Sequence, residues 1–181
     1  MTSPTLLVLA SGRGERFTAS GGSGSKLHAM LAGRRVIDHT LDAVRASDLP
    51  WHVEDAGHAG MGDSIAAAVR ATRESQGWLV LPGDLPLVSA GSLRAVAALI
   101  AQHPIVVPFH RGAKGHPVGF SRGCLDELLA LHGEEGAAGI VRAHAALGEV
   151  FRLELADEGI AIDIDTLDDL RKLEQRLAKP R

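Results

Sequence analysis

Short apolar runs alternate with longer stretches of helical periodicity along this chain, and few folds satisfy that alternation. Runs at 5–10, 78–81, 105–108, 118–120, 150–155 and 160–164 read as strands, with Trp51–Glu54 a weaker one. The first and middle runs are apolar throughout, as strands buried on both faces require. Between them Val36, Ile37, Thr40, Leu41 and Val44 recur at helical spacing, as do Ile65, Ala68, Val69 and Thr72 after Asp63 as N-cap. Leu93, Val96, Ala97 and Ile100 mark another helix, and Leu125, Leu128 and Leu129 a short one. Thr166-Leu167-Asp168-Asp169 has the form of a capping box with Asp in the usual Glu position. Leu170, Leu173 and Leu177 follow on one stripe, and Lys179-Pro180-Arg181 ends the chain. The pattern predicts an α/β protein with a mainly parallel sheet, in one domain over 1–181.

Composition narrows the function classes. Apolar residues make up 45% of the 181 and charged residues 23%, enough to close a core. A formal net charge of −3 offers no basic face for nucleic acid, and 3% aromatics without tyrosine offer no base-stacking platform. One cysteine, Cys124, excludes an internal disulfide and, by the sequence reading, any Cys-based zinc site; it fits a reducing compartment. Nine histidines show no H-x-x-x-H spacing, so zinc is not expected. No apolar run approaches the ~20 residues that span a bilayer. No basic segment precedes the first apolar run, so a cytoplasmic protein without a membrane partner is expected.

Four segments carry chemistry. The first strand runs directly into Ser11-Gly12-Arg13-Gly14-Glu15-Arg16, a Gly/Ser stretch over 19–25, and Lys26. Glycines there let backbone N–H groups approach an anion, while Arg13, Arg16 and Lys26 add the charge a polyphosphate would meet. Phe17 stands where a dinucleotide fingerprint needs its third glycine, and Leu27 follows Lys26 where a Walker loop needs Ser or Thr. Alone, the segment reads equally well as a flexible surface loop. At Pro82-Gly83-Asp84-Leu85-Pro86 a buried strand ends and presents Asp84 at the edge where open α/β sheets bind ligands. That carboxylate suits Mg²⁺, a cation of hard oxygen ligands, or else caps its own turn. Asp163 and Asp165 fall on one face of the expected last strand, where one of them can complete a metal site with Asp84. Negative charge before a helix N-terminus is also favoured on its own account. The basic loop Arg111-Gly112-Ala113-Lys114-Gly115-His116-Pro117 fits an anionic second substrate or an exposed connection. No Gly-x-Ser-x-Gly elbow is present, and Cys124 has no activating neighbour in sequence, which disfavours covalent catalysis.

Taken together these segments resemble a known family. Leu9-Ala10-Ser11-Gly12-Arg13-Gly14-Glu15-Arg16-Phe17 followed by Lys26-Leu27 resembles the opening signature of the molybdenum cofactor cytidylyltransferases, within the MobA-like NTP transferase group. Gly60-Met61-Gly62-Asp63-Ser64, Gly83-Asp84-Leu85-Pro86, Gly115-His116-Pro117-Val118, Gly133-Glu134-Glu135-Gly136-Ala137 and Asp163-Ile164-Asp165-Thr166 are similar to its later motifs. The resemblance implies a three-layer α/β/α, Rossmann-like nucleotidyltransferase fold. It implies transfer of a nucleotidyl group from an NTP, CTP before GTP, to a phosphorylated acceptor such as molybdopterin, with release of pyrophosphate. By the same likeness Leu9, Ala10, Ser11, Gly12, Gly14, Lys26, Gly62, Ser64 and Asp84 surround the nucleotide. Arg16, Lys26 and Asp84 serve catalysis, Asp84 with Asp163 or Asp165 holds Mg²⁺, and Lys114 and His116 face the acceptor. Another phosphorylated acceptor, or a non-catalytic nucleotide-binding relic working through a partner protein, are the alternatives.

Two departures from the family pattern carry expectations of their own. The 18–25 loop is longer than the family's turn, which predicts that Lys26 reaches the phosphates only after a loop rearrangement. Residues 47–59 are too few for the strand and helix the family places there, so one β-α unit is expected to be missing. Acceptor contacts from that unit would then fall to a homo-oligomer or to a partner in molybdoenzyme maturation.

Overall fold

The computed structural model describes residues 3–12 and 14–178; Arg13 and the 179–181 tail named above lie outside the described residues. The chain opens with β1 (Thr5–Leu9), α1 (Glu15–Ala19), a small hairpin of β2 (Met30–Leu31) and β3 (Arg34–Arg35), and α2 (Val36–Ala46). β4 (Trp51–Glu54), α3 (Met61–Ala71), β5 (Gly77–Pro82) and α4 (Ala90–Leu99) follow. The second half holds β6 (Ile105–His110), β7 (Ala113–Lys114), β8 (Val118–Ser121), α5 (Leu125–Leu129), α6 (Ala138–Ala146), β9 (Val150–Glu154) and α7 (Leu167–Leu177).

One sheet runs in the order β4-β1-β5-β8-β6-β7, with β9 also paired to β6. β1 is parallel to β4 and β5, and β6 to β9, while β8 lies antiparallel between β5 and β6. The sheet is therefore mainly parallel, with β8 and the short β7 reversed.

Strand alternation distributes the core between two faces. Leu7, Trp78 and Val80 pack with Ile65 and Val69 of α3, Leu128 of α5 and Ile140 of α6. Their neighbours Leu6, Val8, Leu79 and Leu81 face the other way, against Val44 of α2 and Leu93 and Val96 of α4. Helices thus cover both faces, the three layers expected. A third cluster of Phe17, Leu31, Val36, Ile164, Leu170 and Leu173 seats α7 against α1 and the β2–β3 hairpin. That contact brings the end of the chain beside the loop that follows β1.

Three local expectations need correction. Residues 160–164 are not a strand. Glu158–Ala161 form a 3-10 turn, and the Asp157 carboxylate accepts from Gly159 N at 2.9 Å. Beyond it the chain is tied by two backbone bonds, His116 N to Ile160 O (2.8 Å) and Ile164 N to Asp84 O (3.1 Å). Turn chemistry in Asp157-Glu158-Gly159 outweighs the apolar run. Asp63 is not an N-cap either: Gly60 holds that position, and the Asp63 carboxylate accepts from Gly133 N at 3.0 Å. Helix α6 carries no strong apolar stripe in sequence, and the periodicity passed over it.

Other expectations hold. The Thr166 hydroxyl accepts from Asp169 N, and the Asp169 carboxylate accepts from Thr166 N at 2.8 Å, closing the capping box on α7. The 47–59 connection holds β4 and no helix, and β4 pairs directly with β1. Among the described residues no helix is long and apolar enough to cross a membrane.

The start of α3 is fixed by a close backbone approach. Gly62 N donates to Gly133 O at 2.7 Å, and a Cβ on Gly60 would lie 2.3 Å from the Gly133 carbonyl carbon. Backbone cannot swing aside as a side chain can, so Gly60→Ala should cost about 1–3 kcal/mol. Urea unfolding should show this as a lower midpoint, while Gly57→Ala, with open space around it, should leave the midpoint in place. Equal midpoints for the two variants would contradict the docking.

Candidate active site

Because β1, β4 and β5 point the same way, the loops after Leu9, Glu54 and Pro82 open on one edge of the sheet. Gly83 is held against that edge from two sides: its N–H donates to Leu9 O at 2.9 Å, and the Thr40 hydroxyl donates to its carbonyl at 2.9 Å. Asp84 follows directly and is buried. Lys26 Nζ lies 2.5 Å from Asp84 Oδ2 and 2.8 Å from Asp165 Oδ1, and the Arg16 guanidinium pairs with the second Asp165 oxygen. The long loop does not keep Lys26 from the strand ends. It folds back through α1, and Gly14, at φ 63°, lies so close to Lys26 that a Cβ there would stand 3.5 Å from its backbone nitrogen.

Asp163 joins Asp84 and Asp165: one carboxylate oxygen from each lies within 4.8 Å of the others. The pair thus converges on Asp84 without the strand that was to align it. Burial pushes the Asp163 carboxyl above its ordinary pKa, and the charges of Asp165 and Asp84 push it further. Burial also opposes charge on Lys26, but Asp84 and Asp165 outweigh it and raise the ammonium pKa. Asp84 Oδ1 is buried and has no hydrogen-bond partner among the described residues. Three converging carboxylates with one oxygen left without a donor form a set that a hard divalent cation satisfies.

Two cavities meet at this cluster. The first, of about 330 Å³, is walled by Leu9, Ser11, Gly12, Gly14 and Ser64 together with Arg16, Lys26, Asp84 and Asp165. The Ser11 and Ser64 hydroxyls bond to each other at 2.6 Å. Ala10 and Gly62 do not line it. Ala10 N donates to Glu54 O at 2.8 Å, and the Gly62 amide is taken by Gly133. The second cavity holds Lys114, His116 and Asp163 and shares Arg16, Lys26, Asp84 and Asp165 with the first. Burial, and then Lys114, push the His116 pKa down to about 4, so its imidazole is neutral at pH 7 and Lys114 is the cation that this loop brings to the cavity.

Sequence reasoning missed part of the first wall. His58 and Glu134 line it too. The buried Glu54 carboxylate holds His58 Nε2 at 3.0 Å and accepts from Ala56 N at 3.2 Å. Burial would raise the Glu54 pKa, but hydrogen bonds from His58, Ala56 N–H and His52 hold it below its ordinary value. No motif marks Glu54 and His58; only the alignment of β4 beside β1 brings them to the edge. Glu134 lies in the Gly133–Ala137 motif, which gave no reason to assign it a role.

A model of the MobA-like NTP transferase domain matches residues 43–148. The chain belongs to the MobA-like NTP transferase domain family. It is 32% identical over 120 residues to the purine catabolism protein PucB of Bacillus subtilis, covering 65% of this chain and 58% of that protein. It is 27% identical over 117 residues to the molybdenum cofactor cytidylyltransferase of Escherichia coli, with the same coverage of each. The match spans 58% of the length of these curated relatives. Rv0371c of Mycobacterium tuberculosis H37Rv superposes on this MobA-like chain with a TM-score of 0.77 at 26% identity, over 96% of this chain and 99% of that one. Its complex with manganese gives 0.72 at 25%, with the same coverage.

The Lys26 bridge has a measurable consequence. Lys26→Met leaves the buried Asp84 carboxylate without its cation, and breaking such a pair costs about 3–5 kcal/mol. Because the Lys26 pKa is raised, this stability is fully present below the ordinary lysine pKa of 10.5 and is lost as pH rises through the folded value. Urea unfolding at neutral pH without added metal should show the loss; an unchanged midpoint would mean that Lys26 merely lies near the carboxylates.

Proposed function

We propose that this chain, acting as a single domain, is an Mg²⁺-dependent nucleotidyltransferase. It would move a nucleotidyl group from an NTP, CTP first, to a phosphorylated small molecule such as molybdopterin and release pyrophosphate. The observation that carries this reading is that Arg16, Lys26, Asp84 and Asp165 line both cavities. A substrate in each would meet the other at those four groups. The E. coli relative's name supports the reaction class, and the manganese complex of Rv0371c supports a place for a divalent cation.

In this reading Gly12, Gly14 and the Ser11–Ser64 pair hold the nucleotide in the first cavity. Lys26, fixed between Asp84 and Asp165, gives a positioned charge to the phosphates. Arg16, 79% exposed, can follow the leaving pyrophosphate without a burial cost. Asp84, Asp163 and Asp165 would hold Mg²⁺, which would supply charge neutralisation at the α-phosphate. Lys114 draws the acceptor phosphate into the second cavity, and neutral His116 offers it hydrogen bonding without further charge. An acceptor phosphate oxygen attacks the α-phosphorus in line, the bond to the β-phosphate oxygen breaks, and pyrophosphate departs. Positioning and charge carry such a transfer, and no protein nucleophile is needed.

Pyrophosphate release, measured with each NTP against a panel of phosphorylated acceptors, tests the reading. Asp84→Asn should lower the Mg²⁺-dependent rate by about 10²–10³-fold, since a neutral amide is a poor ligand for the cation. An undiminished rate would remove Asp84 from the chemistry, and no release with any NTP would remove the activity.

A further inference from the structure

A second group of ligand atoms lies outside both cavities. Cys124 immediately precedes α5, Glu127 lies in its first turn, and His144 lies in the last turn of α6. One ligand atom from each falls within 4.8 Å of the others. His144 Nε2 is 3.0 Å from Glu127 Oε1, and its Nδ1 stands 2.7 Å from Glu149 Oε2. Nδ1 is buried beside that carboxylate. Cys124 is buried, whereas Glu127 is 44% exposed, so the cluster opens to solvent on one side only.

Against the sequence expectation of no zinc, which saw neither a second cysteine nor a histidine ligand spacing, we propose that Cys124, Glu127 and His144, gathered from three places in the fold, form a Zn²⁺ site, with Glu149 as the outer carboxylate that orients the His144 ring. The donor set decides the metal. Thiolate, imidazole and one carboxylate suit a borderline cation in tetrahedral geometry with water in the fourth position. Asp84, Asp163 and Asp165 offer hard oxygen alone, so the two clusters select different ions. Zinc bond lengths place neighbouring ligand atoms about 3.3–3.8 Å apart, and the three ligand atoms here lie within 4.8 Å of one another. A carboxylate on the far ring nitrogen is the usual support for a metal-bound histidine. Binding releases the Cys124 thiol proton and any proton on His144 Nε2, so proton and metal compete for the site.

The site has a structural consequence. The chain between Glu127 and His144 contains the loop whose Gly133 bonds to Gly62 and Asp63 and whose Glu134 lines the first cavity. A metal that clips α5 to α6 holds that loop from both ends and links zinc supply to one wall of the nucleotide cavity. The metal site itself does not depend on the proposed transfer reaction.

Cobalt gives the test, because only a thiolate ligand produces a near-ultraviolet charge-transfer band. The full chain, with excess Mg²⁺ present to occupy the carboxylate cluster, should develop this band on Co²⁺ titration, saturating at one ion per chain and lost on adding Zn²⁺. Cys124→Ser should abolish the band. Glu149→Gln, at an exposed position that leaves the core untouched, should weaken Co²⁺ binding by about 10–100-fold. Asp84→Asn should keep the band, which separates this result from any failure of the transferase reading. A folded chain that shows no band, or a band that His144→Gln and Glu149→Gln leave unaltered, would overturn the site.

Discussion

The Lys26 ammonium lies between two carboxylates that come from opposite ends of the chain, Asp84 after β5 and Asp165 before α7. Most of the architecture serves that meeting. β5 lies beside β1, so the loop after β1 and the turn at Gly83 share one edge. The cluster of Phe17, Ile164, Leu170 and Leu173 draws the 162–166 segment against α1, and Asp165 arrives with it. Without the cation, three carboxylates would stand together at a buried strand end, an arrangement electrostatics opposes.

The bridge still leaves charge unmatched. One ammonium and the exposed Arg16 face Asp84, Asp163 and Asp165; the Asp163 carboxyl is pushed upward, and Asp84 Oδ1 has no donor among the described residues. A protein built for stability alone has no reason to hold such a set. The same groups form the common wall of two cavities, one closed by glycines and hydroxyls and the other by Lys114 and neutral His116. Imbalance and location together support the proposed binding of phosphates and a divalent cation at this edge.

Much of this was legible in the sequence because it rests on local chemistry. Apolar runs marked β1, β5 and β6, Thr166 and Asp169 marked the start of α7, and the Gly83-Asp84 turn marked a strand end. What remained hidden depends on contacts between distant segments. The Asp157 carboxylate turns 158–161 into a 3-10 turn where an apolar run promised a strand. Asp63 reads as a helix cap until Gly133 is seen to need its carboxylate. His58 reaches the cavity only when β4 lies beside β1, and Cys124 and His144 become neighbours only when α6 is in place. Lys26 likewise seemed remote behind its long loop, which α1 folds back on itself.

The central claim is that Asp84, Asp163 and Asp165 receive a divalent cation together with a nucleoside triphosphate. Electron paramagnetic resonance of Mn²⁺ in the presence of the protein reads this directly, since free and bound ions give distinct signals. The account predicts that adding CTP or another NTP increases the protein-bound fraction beyond what protein or nucleotide alone gives, and that Asp84→Asn removes the increase. Bound Mn²⁺ that responds neither to any NTP nor to Asp84→Asn would contradict it.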